Sequence, residues 1–409
     1  MPRRAFPTAF LLVLLLIVAP RPLRAAPSWS ETSHEKDFVH SGVTLHKIRG
    51  RTGRGGVNMY FTKVDLTNRN VTVRPALAGD KIGDLETTSR IGRRNDAIAA
   101  INGSYYAGRS WIVNGERFNM PIGLVAIDGT MISFGKYKRT SIAFESDGTP
   151  LIERFIPQGS LTTDRNPYMN VTIYGYNHPR KPGYVVVYTS EYGERTGTND
   201  KGMELVVNRY SRVTKKVSGN AEIPQGGFVV SFDPQYKDWA DNFNLGERVL
   251  VKFNLPDKWD SISHVITGGP QVLKYGEPHV TAIEEKFSNA LRGPNPRTFI
   301  ALTWNEEVLL GVLDGRSSVS VGATFEELAH ILLNYNVKDA FCLDGGGSTT
   351  LVVNEKVINR PSDGPERAVS NAVVVVPRSP LASDPGFLPT PANIEEWTKR
   401  RIRLTQGEF

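Results

Sequence analysis

A strand-rich α+β fold is what the sequence predicts, on three observations. The 409 residues include 38 Gly and 26 Pro, which break the chain often and leave little room for long helices. Short apolar or alternating runs recur between the breaks, among them VTLHKI, IGLVAI, GYVVVYT, GGFVVSF, FIALTW and SNAVVVVP. Against these stands one clear helical pattern, ATFEELAHILLN at 323–334.

Taken in order, residues 27–42 read as a polar lead-in. VTLHKI at 43–48, VNMYFTKVDL at 57–66 and VTVRPAL at 71–77 read as strands, and Asn68-Arg69-Asn70 predicts a hairpin turn between the last two. A short helix is expected within 81–96. Residues 97–106, AIAAINGSYY, are an apolar strand running into an Asn-Gly turn. Several further strands are expected over 120–260. TFIALTWNEEVLLGVLDG reads as two strands joined near Trp304–Glu307. In the helix, Phe325, Leu328, Ala329 and Leu332 line one face, and Thr324 with Glu327 three residues on makes a capping box. A strand, a glycine turn and a second strand follow over VKDAFCLDGGGSTTLVVN, and SNAVVVVP at 370–377 closes the core. Residues 378–409 read as a Pro-rich, then basic extension with a short helix at 392–404.

Composition excludes several classes. The formal net charge of +7 falls partly in the ends, at Arg3, Arg4, Arg21 and Arg24 and at Lys399, Arg400, Arg401 and Arg403. No Arg/Lys stripe with interleaved aromatics is present, so nucleic acid is not an expected partner. A single cysteine, Cys342, permits neither an intrachain disulfide nor a cysteine metal cluster, and its apolar neighbours read it as a buried hydrophobe. Residues 1–26 have a basic start, an apolar run and small residues at Ala25–Ala26, the layout of a secretory signal peptide or an uncleaved signal anchor. No later segment reads as a transmembrane helix. The expected location is therefore periplasm, cell envelope or extracellular space.

Four motifs carry candidate chemistry. In Leu343-Asp344-Gly345-Gly346-Gly347-Ser348-Thr349 an acidic residue ends an apolar strand and three glycines follow. Gly345, Gly346 and Gly347 could present backbone amides to an anion, and Ser348 and Thr349 could add hydroxyls. Asp344 would then serve as acceptor, acid/base or nucleophile; the alternative is a tight turn with an ordinary aspartate. The loop is no Walker A motif, lacking Gly-Lys-Ser/Thr, and no dinucleotide fingerprint, since its glycines open no helix. Gly268-Gly269-Pro270 ends another apolar run, as a turn or a ligand contact. In Asn102-Gly103-Ser104-Tyr105-Tyr106, Asn102 either makes the turn or offers its amide to a sugar or phosphate, with Tyr105 or Tyr106 as a stacking platform. Arg297, at the mouth of FIALTW, suits bidentate recognition of phosphate or carboxylate, or else a surface ion pair. The histidines lack HExxH spacing and no GxSxG elbow is present.

In this order the motifs resemble the phosphodiester glycosidase family. The resemblance rests on NGSYY at 102–106, GGPQVLKYGE at 268–277, NPRTFIALT at 295–303, VLLGVLDGR at 308–316, FEELAHILL at 325–333, DAFCLDGGGSTTLVV at 339–353 and ERAVSNAVVVV at 366–376. It implies a single large catalytic domain over 97–377, after a strand-rich lead-in over 27–96. It also implies hydrolysis of a sugar-1-phosphodiester at the anomeric C–O bond, in an envelope glycan or exopolysaccharide context. Carried over by position, Asp344, Arg297 and Asn102 are the expected catalytic residues. Gly268, Gly269, Gly345, Gly346, Gly347, Ser348, Thr349 and Tyr105 are expected to bind substrate. Two departures stand out: NGSYY occurs where the family commonly has a second Gly and Phe, and the long middle region is weakly diagnostic. A second carboxylate is expected for glycoside hydrolysis, with Glu326, Glu327, Asp314 and Asp339 as candidates. The partner is a carbohydrate or sugar phosphate. No cofactor is expected; aspartates are available to a divalent cation, but no motif supports one. The competing readings are a non-catalytic exopolysaccharide-binding protein and a hydrolase of phosphate-free glycans.

Overall fold

A computed structural model describes residues 27–68, 70–107, 112, 113, 116–256 and 262–378. The signal segment 1–26, and residues 379–409 of the C-terminal extension with its expected helix, lie outside the described residues.

The chain is mostly β, with 47% strand and 11% helix, so strand-rich holds and the α+β label fits only loosely. An eight-stranded sheet runs in the order Trp29–His40, Val43–Thr52, Gly55–Asp65, Glu307–Leu313, Arg297–Thr303, Val337–Cys342, Gln271–Lys274, Glu277–Pro278. Both faces of its centre are apolar. Phe299, Ala301 and Leu309 turn toward Phe325, Leu328, Ala329 and Leu332 of the helix Phe325–Leu332. Ile300, Val308 and Leu310 turn the other way, onto Val73, Ile101, Leu351 and Val373 of a five-stranded sheet. A strand covered on both sides reads as a continuous apolar run, which is why FIALTW shows no alternation. The helix forms where expected, with the reciprocal Thr324–Glu327 capping box in place.

The middle of the chain builds a ten-stranded sheet from Val125–Ile127 through Ile262–Thr267, covered by the three-stranded sheet Val171–Ile173, Gln158–Thr163, Val249–Asn254. Leu161, Ile173 and Val251 of the smaller sheet pack on Phe134, Val187 and Val230 of the larger.

Two local expectations are corrected. The polar lead-in contains a twelve-residue strand, Trp29–His40, paired along its length with Val43–Thr52. It is an edge strand, exposed over much of its surface, so its register rests on backbone pairing and no apolar alternation marks it. The hairpin across Asn68–Asn70 does not form. Gly55–Asp65 has both edges taken by Val43–Thr52 and Glu307–Leu313, so Val71–Leu77 passes to the five-stranded sheet and pairs with Asn371–Pro377. Residues 27–96 are thus woven into the same sheets as the motifs that follow.

Candidate active site

The ends of strands from three sheets meet at one place, and their backbone hydrogen bonds trace it. Gly268 N donates to Thr140 O at 2.9 Å and Gly269 N to Cys342 O at 2.8 Å. Leu343 N donates to Thr298 O at 2.9 Å, and Asp344 N to Gly103 O at 3.0 Å. Four of the sequence motifs, distant along the chain, therefore converge here.

Asp344 leaves the strand Val337–Cys342 at this junction. The residue is half-buried: its carboxyl is crowded by protein while the residue keeps some contact with solvent. Burial pushes the carboxyl up from 3.8 to about 6, against the opposing pull of the Ser348 hydroxyl, the Arg367 guanidinium and the Gly345 amide. Such a group is ionised at neutral pH yet basic enough to accept a proton. The Ser348 and Thr349 hydroxyls beside it are buried with no well-formed hydrogen bond, as is Thr350 Oγ1. Three loop amides already have protein acceptors: Gly346 N donates to Pro296 O, Ser348 N to Gly345 O and Thr349 N to Gly346 O. An anion nest built from the whole turn is therefore not what the backbone presents. At Gly347 a side chain would collide with the Asp363 carboxylate and the Arg367 guanidinium, so glycine here lets that ion pair close against the turn.

Asn102 is fully buried and braces the site. Its Nδ2 donates to Asp344 O at 2.6 Å, while its Oδ1 accepts from Thr298 Oγ1 at 2.7 Å and Thr350 N at 3.1 Å. With these bonds made and no exposed surface, the side chain is turned to the Asp344 carbonyl rather than to a ligand, which departs from its expected catalytic contact. Asn102→Asp keeps both acceptor bonds but sets carboxylate against carbonyl at Asp344 O. The expected result is a fall in kcat of about a hundredfold, since displacement on the order of an ångström has that effect on chemistry. A pre-steady-state assay of the folded variant would measure it, and unchanged kcat would refute the brace.

Arg297 also departs from expectation. It is 3% exposed, and Nε donates to Ala323 O at 2.8 Å, Nη1 to Leu291 O at 2.9 Å and Nη2 to Gly293 O at 2.5 Å. The guanidinium stacks over Phe325, 3.8 Å from the ring centroid. It clamps the short helix Asn289–Arg292 to the loop before Phe325–Leu332, rather than presenting an open fork to phosphate.

Gly268 and Gly269 face protein. A side chain at Gly268 would strike Cys342 O. One at Gly269, held at φ +100°, would strike Glu285, whose buried carboxylate takes Thr140 Oγ1 at 2.6 Å, Thr140 N at 3.0 Å and Gln271 N at 3.2 Å. Tyr105 is half-buried against Phe287, centroids 5.3 Å apart, and its hydroxyl is held well above the ordinary value by burial, with Cys342 and Asp344 adding to the shift. Cys342 is in the core and burial pushes its thiol to about 12, in keeping with a packing role.

Sequence reasoning missed the cations that do border the turn. Arg316 reaches over Gly346 with Nη2 donating to Asn295 Oδ1 at 2.9 Å, and Arg367 Nε donates to Asp363 Oδ2 at 2.9 Å. Both lie in quoted motifs, VLDGR and ERAVSNAVVVV, but nothing in the one-dimensional pattern brings them to Asp344. Tyr106, an expected stacking platform, lies by them: burial raises its hydroxyl, and Asp344, Arg367 and Asp363 all act on it.

Of the expected second carboxylates, Asp314 is nearest in connection. It is buried and accepts from Asn359 Nδ2 at 3.1 Å, and the same amide group donates to Thr349 O at 3.1 Å. Burial raises its carboxyl, opposed by Asn359 and Arg360. Glu327 is taken by its capping box and by Arg54 Nε at 2.7 Å, and Asp339 accepts from Tyr275 N at 3.0 Å. Glu326 sits exposed in the first turn of its helix. Among the described residues no group of three or more His, Cys, Asp or Glu is placed to hold a metal ion.

Residues 201–376 match the phosphodiester glycosidase family. A stretch of 81 residues is 37% identical to an uncharacterized SPbeta prophage-derived protein of Bacillus subtilis (strain 168), covering 20% of this chain and 13% of that protein. Two solved structures share the fold. A hypothetical protein from Synechocystis aligns with TM-score 0.73 and 21% identity over 84% of this chain and 64% of that one, so under two-thirds of its length is spanned. A chain from Burkholderia pseudomallei K96243, designated an exported protein, aligns with TM-score 0.71 and 18% identity over 87% of this chain and 97% of that one.

Proposed function

We propose that this chain, whose residues 201–376 carry the phosphodiester glycosidase match, hydrolyses the glycosidic bond of a sugar-1-phosphodiester. The observation that carries the reading is Asp344: a carboxyl at about 6, set on a glycine turn where three sheets converge, with cations beside it. In its ionised form Asp344 faces the anomeric carbon and takes a proton from the attacking water. The new bond joins water oxygen to C1 as the bond from C1 to the bridging oxygen breaks. That oxygen leaves on phosphorus, giving free sugar and a phosphate monoester. A phosphate monoester needs little protonation to depart, so one carboxylate suffices at the reacting face. Arg316 and Arg367 oppose the negative charge that develops on the leaving group. Asn102 fixes the Asp344 backbone, and Arg297 holds the wall behind it.

An exported envelope or exopolysaccharide substrate fits the signal-like amino terminus. Among the described residues no helix is long and apolar enough to cross a membrane.

The test is a pair of substrates sharing one sugar, a 1-phosphodiester and the matched methyl glycoside. Turnover of the diester alone is expected. Equal turnover of both would replace this reading with a hydrolase of phosphate-free glycans, and glycan binding without turnover would replace it with a binding protein.

A further inference from the structure

Arg139 opens the strand Arg139–Glu145, one residue before the Thr140 carbonyl that receives the Gly268 amide. It therefore stands at the same junction as Asp344, on the ten-stranded side. Its guanidinium lies over Phe287, 4.0 Å from the ring centroid, and 5.7 Å from the centroid of Tyr105. The Tyr105 hydroxyl in turn feels both Arg139, which lowers its pKa, and Asp344, which raises it.

Arg139 differs from the other arginines of the site. Arg297 has three carbonyls, Arg316 has Asn295 and Arg367 has Asp363. No hydrogen bond or ion pair is made by the Arg139 side chain among the described residues, and its Nη1 is buried without a partner. The nearby carboxylate, Glu285, is occupied by Thr140, Thr281 and Gln271. Burial lowers the guanidinium pKa, with Tyr105, Glu285 and Tyr137 opposing. A half-buried planar fork stacked on an aromatic ring, with its donors unpaired, is completed by an oxyanion. The sugar-1-phosphodiester supplies one, at the position adjacent to the carbon that Asp344 faces.

We propose that Arg139, stacked on Phe287 beside Tyr105, hydrogen-bonds the phosphate of the bound substrate, the role its sequence setting suggested for Arg297. The assignment rests on the diester reading above, yet its test needs no turnover. Inorganic phosphate and acetate are titrated calorimetrically into the full-length wild type, R139K and R139M, with thermal melts alongside. Phosphate is expected to bind the wild type, and R139M to bind it at least about tenfold more weakly, in line with loss of a bidentate charged contact. R139K, which keeps the charge without the fork, should fall between them. R139M should melt within a few degrees of wild type, because the guanidinium has no hydrogen bond to lose and the Met side chain keeps an apolar contact with Phe287. Unchanged phosphate affinity in R139M overturns the proposal. So does acetate binding as tight as phosphate, which would mark a carboxylate site, and so does an R139M that fails to fold, which would make Arg139 structural. Phosphate binding that depends on Arg139 in a protein inactive on every diester would leave the site standing and the glycosidase reading refuted.

Discussion

Asp344→Asn is expected to lose about a thousandfold in kcat, the scale of a positioned acid–base group, while becoming more stable than the wild type at neutral pH. The second half follows from the first observation. In the folded chain the Asp344 carboxyl stands at about 6, above its ordinary 3.8, because burial disfavours the charge. Folding therefore favours the protonated form. The resulting penalty is full above pH 6, falls as pH drops through that value, and is gone below about 3.8. Asparagine removes it. Discounted for the solvent contact Asp344 retains, the gain is about 1–2 kcal/mol at neutral pH and shrinks toward zero near pH 4. Urea unfolding of both proteins across that range measures it. A gain in stability with loss of function is the trade expected of a reactive group held under strain. The wild-type enzyme should also show kcat/KM rising with pH through about 6, since the ionised carboxylate is the active form. A profile that instead falls through 6 would make Asp344 the acid and reverse its role.

Arg297→Met is expected to destabilise the protein by about 3 kcal/mol, because the buried Ala323 carbonyl and the part-buried Leu291 and Gly293 carbonyl bonds lose their donor together. Arg297→Lys should recover only part, since an ammonium cannot span the Ala323, Leu291 and Gly293 oxygens as a planar fork does. The material that folds should keep a KM within a few-fold of wild type. Denaturant midpoints and Michaelis constants on the same preparations separate the two roles. A large rise in KM at unchanged stability would restore Arg297 as the phosphate ligand, contrary to its observed burial.

These two residues also mark what the sequence could and could not disclose. The hairpin Arg297–Thr303 to Glu307–Leu313 and the capped helix Phe325–Leu332 were legible, because their signals are local: apolar runs, a tight connection, a capping box. The motifs around Asp344 were legible through their order along the chain. Pairing between remote segments was not. Asn68–Asn70 looks like a hairpin turn, yet the edge of Gly55–Asp65 left open by Val43–Thr52 is taken by Glu307–Leu313, and Val71–Leu77 pairs with Asn371–Pro377, both over two hundred residues away. Nor does a polar residue announce whether it faces solvent, a ligand or a carbonyl. Arg297 and Asn102 carry the chemistry of ligand contacts and are occupied internally, whereas Arg139 lies in a stretch that matched no motif and has its donors free among the described residues. Only the three-dimensional count of donors and acceptors separates them.

Cleavage between C1 and oxygen is read out by running the reaction in oxygen-18-labelled water. The full chain would be given an anomerically pure sugar-1-phosphodiester and both products analysed by mass spectrometry. Label is expected in the free sugar and none in the phosphate monoester. Label on phosphorus, with sugar-1-phosphate or unlabelled sugar released, would show attack at phosphorus and contradict cleavage at C1.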